Sequence, residues 1–395
     1  MKTFVKTFPI ILLFTVNIFS LSSQISFTNG DHSLEISGSI STYYNYRFYK
    51  EGQTDFKKNR FNLRDAQLQI EGRYKNKLEY EFQADFADLA AGSTGVVDPE
   101  NPGLMDASVT FKYIPKVNIT AGYGKLPYSR SSLVPFIYSP YWQRAELVRG
   151  DIFSRRDVGI TLSSSFWKQR VNLFLGAYNG LGELSLRGDN DATGKLEYVA
   201  RAEMAYPSRY RYQDIDHRVS PTPMFVFGAS ARHTNRPLAP GRFFPQGSQG
   251  EYMVKVIDGK KQGIGLDASF KYMGFSAQFE MHRFYLYPQS ENNALFQGTD
   301  KTFNEGLVRV GGFYTQINYY SKPLQSIFSA RFETLNINDL AAGELRRLSF
   351  AYAFQFNGFI SMLKAQYFMN LREEAIIDPL NWTEQFRIGL QHTFK

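Results

Sequence analysis

The 395-residue chain contains no cysteine, three tryptophans and five histidines. Without cysteine there is no disulfide staple, no thiolate metal ligand and no cysteine nucleophile. The chain also lacks any stretch approaching 18 consecutive apolar residues beyond its first two dozen positions, so a membrane crossing would have to use strands. His32, His217, His233, His282 and His392 fall in no HExxH or similar ligand spacing, and there is no G-x-S-x-G element. Asp189, Asp191 and Thr193 before Gly194 imitate the start of a calcium loop, but the twelfth position is Ala200 where a glutamate is required. No metal or cofactor is therefore expected. The net charge of +8 is modest, and bases alternate with acids instead of clustering, which argues against a nucleic-acid partner.

The N-terminus carries Lys2 and Lys6, an apolar run from Phe8 to Phe19, and then small residues at Ser20, Ser22 and Ser23. This order is that of a secretory signal peptide of residues 1–23, cleaved after Ser22 or Ser23, with Ser23 favoured. Residues 24–395 are then one domain. They are rich in Phe (35) and Tyr (25), and they divide into 16 alternating segments. These cover 34–50, 61–74, 78–86, 105–114, 117–125, 157–166, 171–178, 196–206, 224–234, 264–272, 275–286, 307–319, 326–335, 347–356, 362–372 and 382–394. In the third, Leu78, Tyr80, Phe82, Ala84 and Phe86 oppose Glu79, Glu81, Gln83 and Asp85. In the last, Phe386, Ile388, Leu390 and Phe394 oppose Gln385, Arg387, Gly389, Gln391 and Thr393. One face suits lipid and the other water, as in a transmembrane antiparallel β-barrel. Alternation alone would also fit a soluble sandwich.

The connections favour the barrel. Short ones, such as Pro115-Lys116 and Asn357-Gly358, alternate with long ones at 89–104, 126–156, 179–195, 235–263 and 287–306. Short periplasmic turns, long extracellular loops and an even strand count are the barrel arrangement, with the terminal Phe394 strand as the expected signal to the outer-membrane assembly machinery. The segment 207–223 breaks the rule, because it should be short but is long and charged. Aromatics gather at the short-turn ends: Tyr74, Tyr113, Phe166, Trp167, Tyr206, Tyr272, Phe275, Tyr319, Tyr320, Phe356 and Phe394. They form an expected interfacial girdle.

About 16 strands enclose a lumen wide enough for water, and only residues 24–33 precede the first expected strand, too few for a plug. The loop 126–156 is the expected constriction, with Lys125, Arg130, Arg144, Arg149, Arg155 and Arg156 as an anion path. Equally, those arginines could pair with Glu146, Asp151 or the wall acids Glu79, Glu81 and Asp85. Inward parity adds Arg47, Arg201, Arg331, Arg347, Lys364, Arg372 and Arg387 to the wall, together with Glu197, Glu203, Glu280 and Glu333. Arg201 with Glu203, and Arg331 with Glu333, sit two apart on one face and read as salt-bridge ladders.

The run Gly122-Tyr123-Gly124-Lys125-Leu126-Pro127-Tyr128-Ser129 resembles an element of the phosphate-selective porin O and P family. So does the later series of Arg144, Glu146, Arg156-Asp157-Val158-Gly159-Ile160 and Gly176-Ala177-Tyr178-Asn179-Gly180. The resemblance covers about 61–180. It implies a 16-stranded, trimeric outer-membrane porin of a Gram-negative-type bacterium, embedded in outer-membrane lipid and passing small anionic or neutral solutes such as phosphate. Lys125, Arg144 and Arg156 occupy matching motif positions. The sequence departs from the pattern in separating Arg144 from Glu146 and in lacking a dense lysine ladder. A structural or adhesive barrel, a barrel hydrolase and, more remotely, a soluble sandwich are the alternatives.

Overall fold

The computed structural model describes residues 25–49, 59–89, 103–150, 152–182, 194–236, 254–289, 306–340, 344–372 and 382–394. The signal segment, Asp151 and the Asp189, Asp191 and Thr193 stretch lie outside the described residues.

The chain opens with β1 (Ile25–Asn29) and β2 (His32–Tyr49), followed by β3 (Arg60–Tyr74), β4 (Leu78–Asp85), β5 (Leu104–Ile114) and β6 (Val117–Lys125). Next come β7 (Arg156–Phe166), β8 (Val171–Tyr178), β9 (Glu197–Tyr206), β10 (Met224–Arg236), β11 (Gly259–Tyr272) and β12 (Phe275–Pro288). The last are β13 (Val308–Ser321), β14 (Ser326–Asn336), β15 (Leu345–Asn357), β16 (Ser361–Arg372) and β17 (Trp382–Phe394). From β2 onward each strand pairs antiparallel with the next, and β17 pairs with β2, closing a sixteen-stranded barrel. Closure leaves no open sheet edge, which a bilayer demands. Among the described residues no helix is long and apolar enough to cross a membrane.

All sixteen expected segments are barrel strands, with the largest boundary difference at β11, which begins at Gly259 instead of 264. The strand β1 is an addition, since five residues carry too little alternation to stand out. It is structurally specific: β17 covers the edge of β2 as far as Gly38, opposite Phe394, and β1 takes over that same edge from Ile36 to His32.

Local chemistry sets the turns. Met273 and Gly274 both have positive φ between Tyr272 and Phe275, the geometry of a two-residue hairpin whose twist matches its strands. Gly122 has φ +129°, and a Cβ there would come within 2.3 Å of the Ala107 carbonyl oxygen, so this motif glycine permits close approach of β5 and β6.

The outer face is apolar: Phe227 is 61% exposed, Leu175 59% and Leu390 53%. Of the girdle aromatics, Tyr113, Phe166, Trp167, Tyr206, Tyr272, Phe275, Tyr319 and Phe356 are exposed. Tyr320 instead points inward and packs on His217 at 4.7 Å between ring centroids, because it lies on the opposite parity from Tyr319.

The inner face is uneven around the barrel. From β9 to β17 its polar side chains, including Arg201, Asp267, Glu280, Asn318 and Ser349, are buried. From β3 to β8 those of Gln67, Gln83, Ser108, Thr120, Ser163 and Asn172 remain half-buried. One side of the lumen is filled and the other stays wet. The lipid face gives a direct test: Leu175→Arg should destabilise the barrel by ~2–4 kcal/mol, whereas Ser163→Lys on the inner face of β7 should cost under ~1 kcal/mol, read by denaturant unfolding in lipid vesicles.

Candidate functional site

Residues 126–155, between β6 and β7, fold into the barrel. Ser129 caps a single helical turn, Arg130–Leu133, by accepting from the Ser132 amide at 3.1 Å. Two further short turns, Phe136–Tyr138 and Glu146–Val148, follow extended residues Pro135 and Ala145. Leu126, Tyr128, Leu147, Val148, Ile152 and Phe153 are fully buried, in one cluster with Phe284, Leu286, Val308, Val310 and Leu335 of β12–β14. Each such side chain stabilises the inward position by about 1.5–3 kcal/mol.

A buried irregular segment must also satisfy its carbonyls. The wall does this with cations. Arg201 donates to the Tyr128 carbonyl at 3.1 Å, Arg331 to that of Gln143 at 3.2 Å, Lys364 to that of Ser139 at 3.0 Å and Lys261 to that of Ile152 at 2.7 Å. Arg387 reaches the Gln143 side chain at 2.7 Å, and Arg347 pairs with Glu146 at 2.5 Å. The wall cations Arg201, Arg331, Arg347, Lys364 and Arg387 therefore brace the loop. Arg47 stays half-buried on the inner face, and the Arg372 side chain lies outside the described residues. The two expected ladders are present, Arg201–Glu203 at 2.7 Å and Arg331–Glu333 at 3.8 Å.

The irregular connection 207–223 also turns inward, from the periplasmic end. Asp214 accepts from Gln278 at 2.8 Å, Ile215 is buried beside Tyr320, Ile327 and Met362, and His217 lies 3.2 Å from Gln355. It meets the loop at Arg130. That guanidinium donates to the Arg211 carbonyl at 2.9 Å, lies 4.7 and 4.9 Å from the Tyr210 and Tyr212 rings, and is 3.7 Å from Glu203. Tyr212 donates to the other oxygen of Glu203 at 2.6 Å. Arg130 is thus a clamp between two inward segments and does not line the open space.

The open space lies against β2–β8. A cavity of about 110 Å³ is lined by Arg64, Lys125, Arg144, Arg155 and Arg156, with Asp65 and Glu81 among the acids. Beside it a second, of about 250 Å³, includes Asp106, Asp157 and Tyr178. The two share Glu81 and Lys125. Four of the six residues expected in the anion path, Lys125, Arg144, Arg155 and Arg156, meet here. Arg149 instead pairs with Glu146 at 3.5 Å.

Arg156 holds Asp106 through two contacts, at 3.0 and 3.2 Å, and Arg144 donates to the Val134 carbonyl at 2.9 Å. Glu79, by contrast, pairs with Arg73 and Lys112 and takes no part in the loop. Three charged lining residues escaped the sequence reading, Asp65 among them, whose inward parity on β3 the pattern could also have shown. Asp106 has inward parity on β5, which the pattern could have shown. Arg64 has no such signal: β3 bulges there, Ser41 facing Asp65 and Thr42 facing Leu63, so the extra residue swings inward and donates to the Trp142 carbonyl at 2.7 Å. Among the described residues no group of acids and histidines could hold a metal ion.

Two outcomes test this packing. Burial would raise the Glu146 carboxyl, but Arg149, Arg347 and Arg331 outweigh it and hold it at about 2. Its contribution is full above the ordinary carboxylate range near 4.5 and is lost as pH falls towards 2. Protease cleavage within 126–155 of the folded barrel should therefore rise below about pH 3.5, with Glu146→Gln already cleaved at neutral pH. Replacing 208–222 by a two-residue turn should release Arg130 and raise single-channel conductance by opening the β9–β13 side; an unchanged conductance would show that this side stays sealed without it.

The fold is that of outer-membrane porins. An anion-selective porin from Comamonas acidovorans aligns with a TM-score of 0.54 at 11% identity, covering 92% of this chain and all of that one. The channel DcaP of Acinetobacter baumannii aligns at 0.55 and 11%, covering 93% and 99%. OmpT of Vibrio cholerae aligns at 0.57 and 9%, covering 94% and 100%. No curated protein matches the sequence. The family described as phosphate-selective porin O and P matches residues 38–212, from β2 through β9 into the inward connection. The chain is a porin-fold barrel that carries the phosphate-selective porin O and P pattern over that region.

Proposed function

We propose that the protein is a passive porin of the Gram-negative outer membrane, its water path running along the inner face of β3–β8 and narrowed by residues 126–155. The observation that carries this reading is the unequal burial of the inner wall: Arg201, Asp267, Glu280, Asn318 and Ser349 of β9–β15 are sealed, while Gln67, Gln83, Ser108, Thr120, Ser163 and Asn172 of β3–β8 stay half-buried, although the acids Asp65, Asp85, Asp106 and Asp157 on that side are buried. A structural barrel with a filled lumen would bury both sides alike. The smaller cavity is lined by five cations against two acids, Asp65 and Glu81, so small anions are favoured over cations there.

Assembly as a trimer, and delivery by the assembly machinery through the strand ending at Phe394, fit the same reading. A hydrolase would need an accessible acid, histidine and nucleophile. Among the described residues, the His–Glu pair in the loop's packing, His282 and Glu280 at 2.7 Å, is sealed beneath Tyr128 and Phe153.

The deciding experiment is the single-channel current of purified protein in a planar bilayer under a KCl gradient, repeated with phosphate. A reversal potential on the chloride side is expected, and no conductance from folded protein would remove the porin reading. Arg156→Gln should lower the chloride-to-potassium permeability ratio by up to about tenfold, since one charge roughly 6 Å from the ion in water shifts chloride and potassium about threefold each in opposite directions. An unchanged ratio would take Arg156 out of the path.

A further inference from the structure

We infer that the space beside Phe136 is a binding station for small organic anions that join a carboxylate to a ring or short hydrocarbon, so that these, and not inorganic phosphate, are the preferred solutes. The inference rests on the porin reading and deepens it.

The lining of the smaller cavity is divided. Pro135, Phe136 and Ile137 of the loop, with Met105 of β5, supply an apolar shelf. Gln67, Gln69 and Gln83 of β3 and β4 supply amides, and Arg64, Lys125 and Arg144 bring positive charge to the same space. Hydrated phosphate is polar on every side and gains nothing from a shelf that offers no donor; approaching it costs water. A ring-bearing carboxylate satisfies both halves at once, its charge towards the cations and its hydrocarbon against the shelf.

The shelf is held in place. The Arg64 guanidinium carbon lies 4.0 Å from the Phe136 ring centroid and that of Arg144 lies 5.1 Å away. Both arginines are anchored, Arg64 to the Trp142 carbonyl at 2.7 Å and Arg144 to that of Val134 at 2.9 Å. The backbone at Phe136 is fixed as well, its carbonyl accepting from the Ser139 amide at 2.9 Å. Ring and cations are therefore preorganised side by side, and binding need not order them. Charge points the same way. Asp65 offsets Arg64 at 2.5 Å and Asp106 offsets Arg156 at 3.0 Å, so the field suits a monoanion better than a multiply charged phosphate.

The test uses the whole purified protein in planar bilayers in KCl, with benzoate, benzamide, acetate or phosphate added. Benzamide keeps the ring without charge, and acetate and phosphate keep charge without the ring. Benzoate should halve the chloride current at a concentration about tenfold below each of the others, the gain expected from shielding roughly half a ring. Phe136→Ala and, independently, Ile137→Ser should each raise the benzoate concentration needed by about fivefold through lost apolar contact, block being read relative to each variant's own KCl current. Block by phosphate or acetate at concentrations equal to benzoate overturns the station, as does unchanged benzoate block in both variants. Absence of KCl conductance from folded wild-type protein overturns the porin reading itself, which separates the two failures.

Discussion

A segment with little regular structure, buried inside a barrel, must find a donor for nearly every carbonyl it takes out of water. Residues 126–155 solve this with side chains of the wall, chiefly guanidinium and ammonium groups. Arg201, Lys261, Arg331 and Lys364 each reach a loop carbonyl, and Arg232 does the same at Ser154, at 3.1 Å. A carbonyl left unpaired there would cost about 1–3 kcal/mol, so the inward position depends on these donors as much as on the apolar cluster of Leu126, Ile152 and Phe153. The cations must in turn be neutralised. Asp267 and Glu203 flank Arg201 at 2.6 and 2.7 Å, and Glu197 holds Arg232 at 2.7 Å. Acid, base and carbonyl therefore form one connected network, in which removing one member strands the others.

That requirement divides the lumen. Where the loop lies, from β9 to β17, charge is spent on packing and is closed off from ions. From β3 to β8 the inner wall carries half-buried glutamines, serines and threonines, beside the paired charges Arg64 with Asp65 and Arg156 with Asp106. The connection 207–223 completes the division from the periplasmic end, through the contact of Arg130 with the Arg211 carbonyl and the rings of Tyr210 and Tyr212. A barrel of sixteen strands would otherwise be far wider than a selective path needs. Two inward segments, one from each end, leave open space along one wall.

Strand positions were legible because a two-residue period between lipid and water leaves no ambiguity over ten residues; Leu390 and Gln391 of β17 part as their types demand. The inward parity of Arg201, Arg331 and Lys364 was legible too, but parity says only that a side chain enters the lumen, not what it meets there. The same residue types serve an ion path or brace a backbone, and only the fold of the loop decides. Arg64 was hidden for a different reason. A bulge shifts parity by one residue, so a reading by alternation assigns it to the wrong face. The inward turn of 207–223 left a trace in its length and charge without showing a direction.

The choice of arginine over lysine at the central braces follows from the number of acceptors each must satisfy. Arg201 serves the Tyr128 carbonyl at 3.1 Å, Ser230 at 2.8 Å, Asp267 at 2.6 and 3.0 Å and Glu203 at 2.7 and 3.0 Å. A planar fork with five donors can span these four groups, one hydrogen on Nη1 being shared between acceptors, whereas an ammonium has three donors about a single point. Lys261 illustrates the contrast, since its three contacts, with the carbonyls of Ile152, Val254 and Lys255, match the capacity of its one nitrogen. Near Phe136 the guanidinium plane has a further use, lying against a ring while its edges stay hydrogen-bonded. Arginine can therefore hold the loop and still present charge beside the open space against β2–β8, which makes the bracing network and the lining of that space parts of the same arrangement.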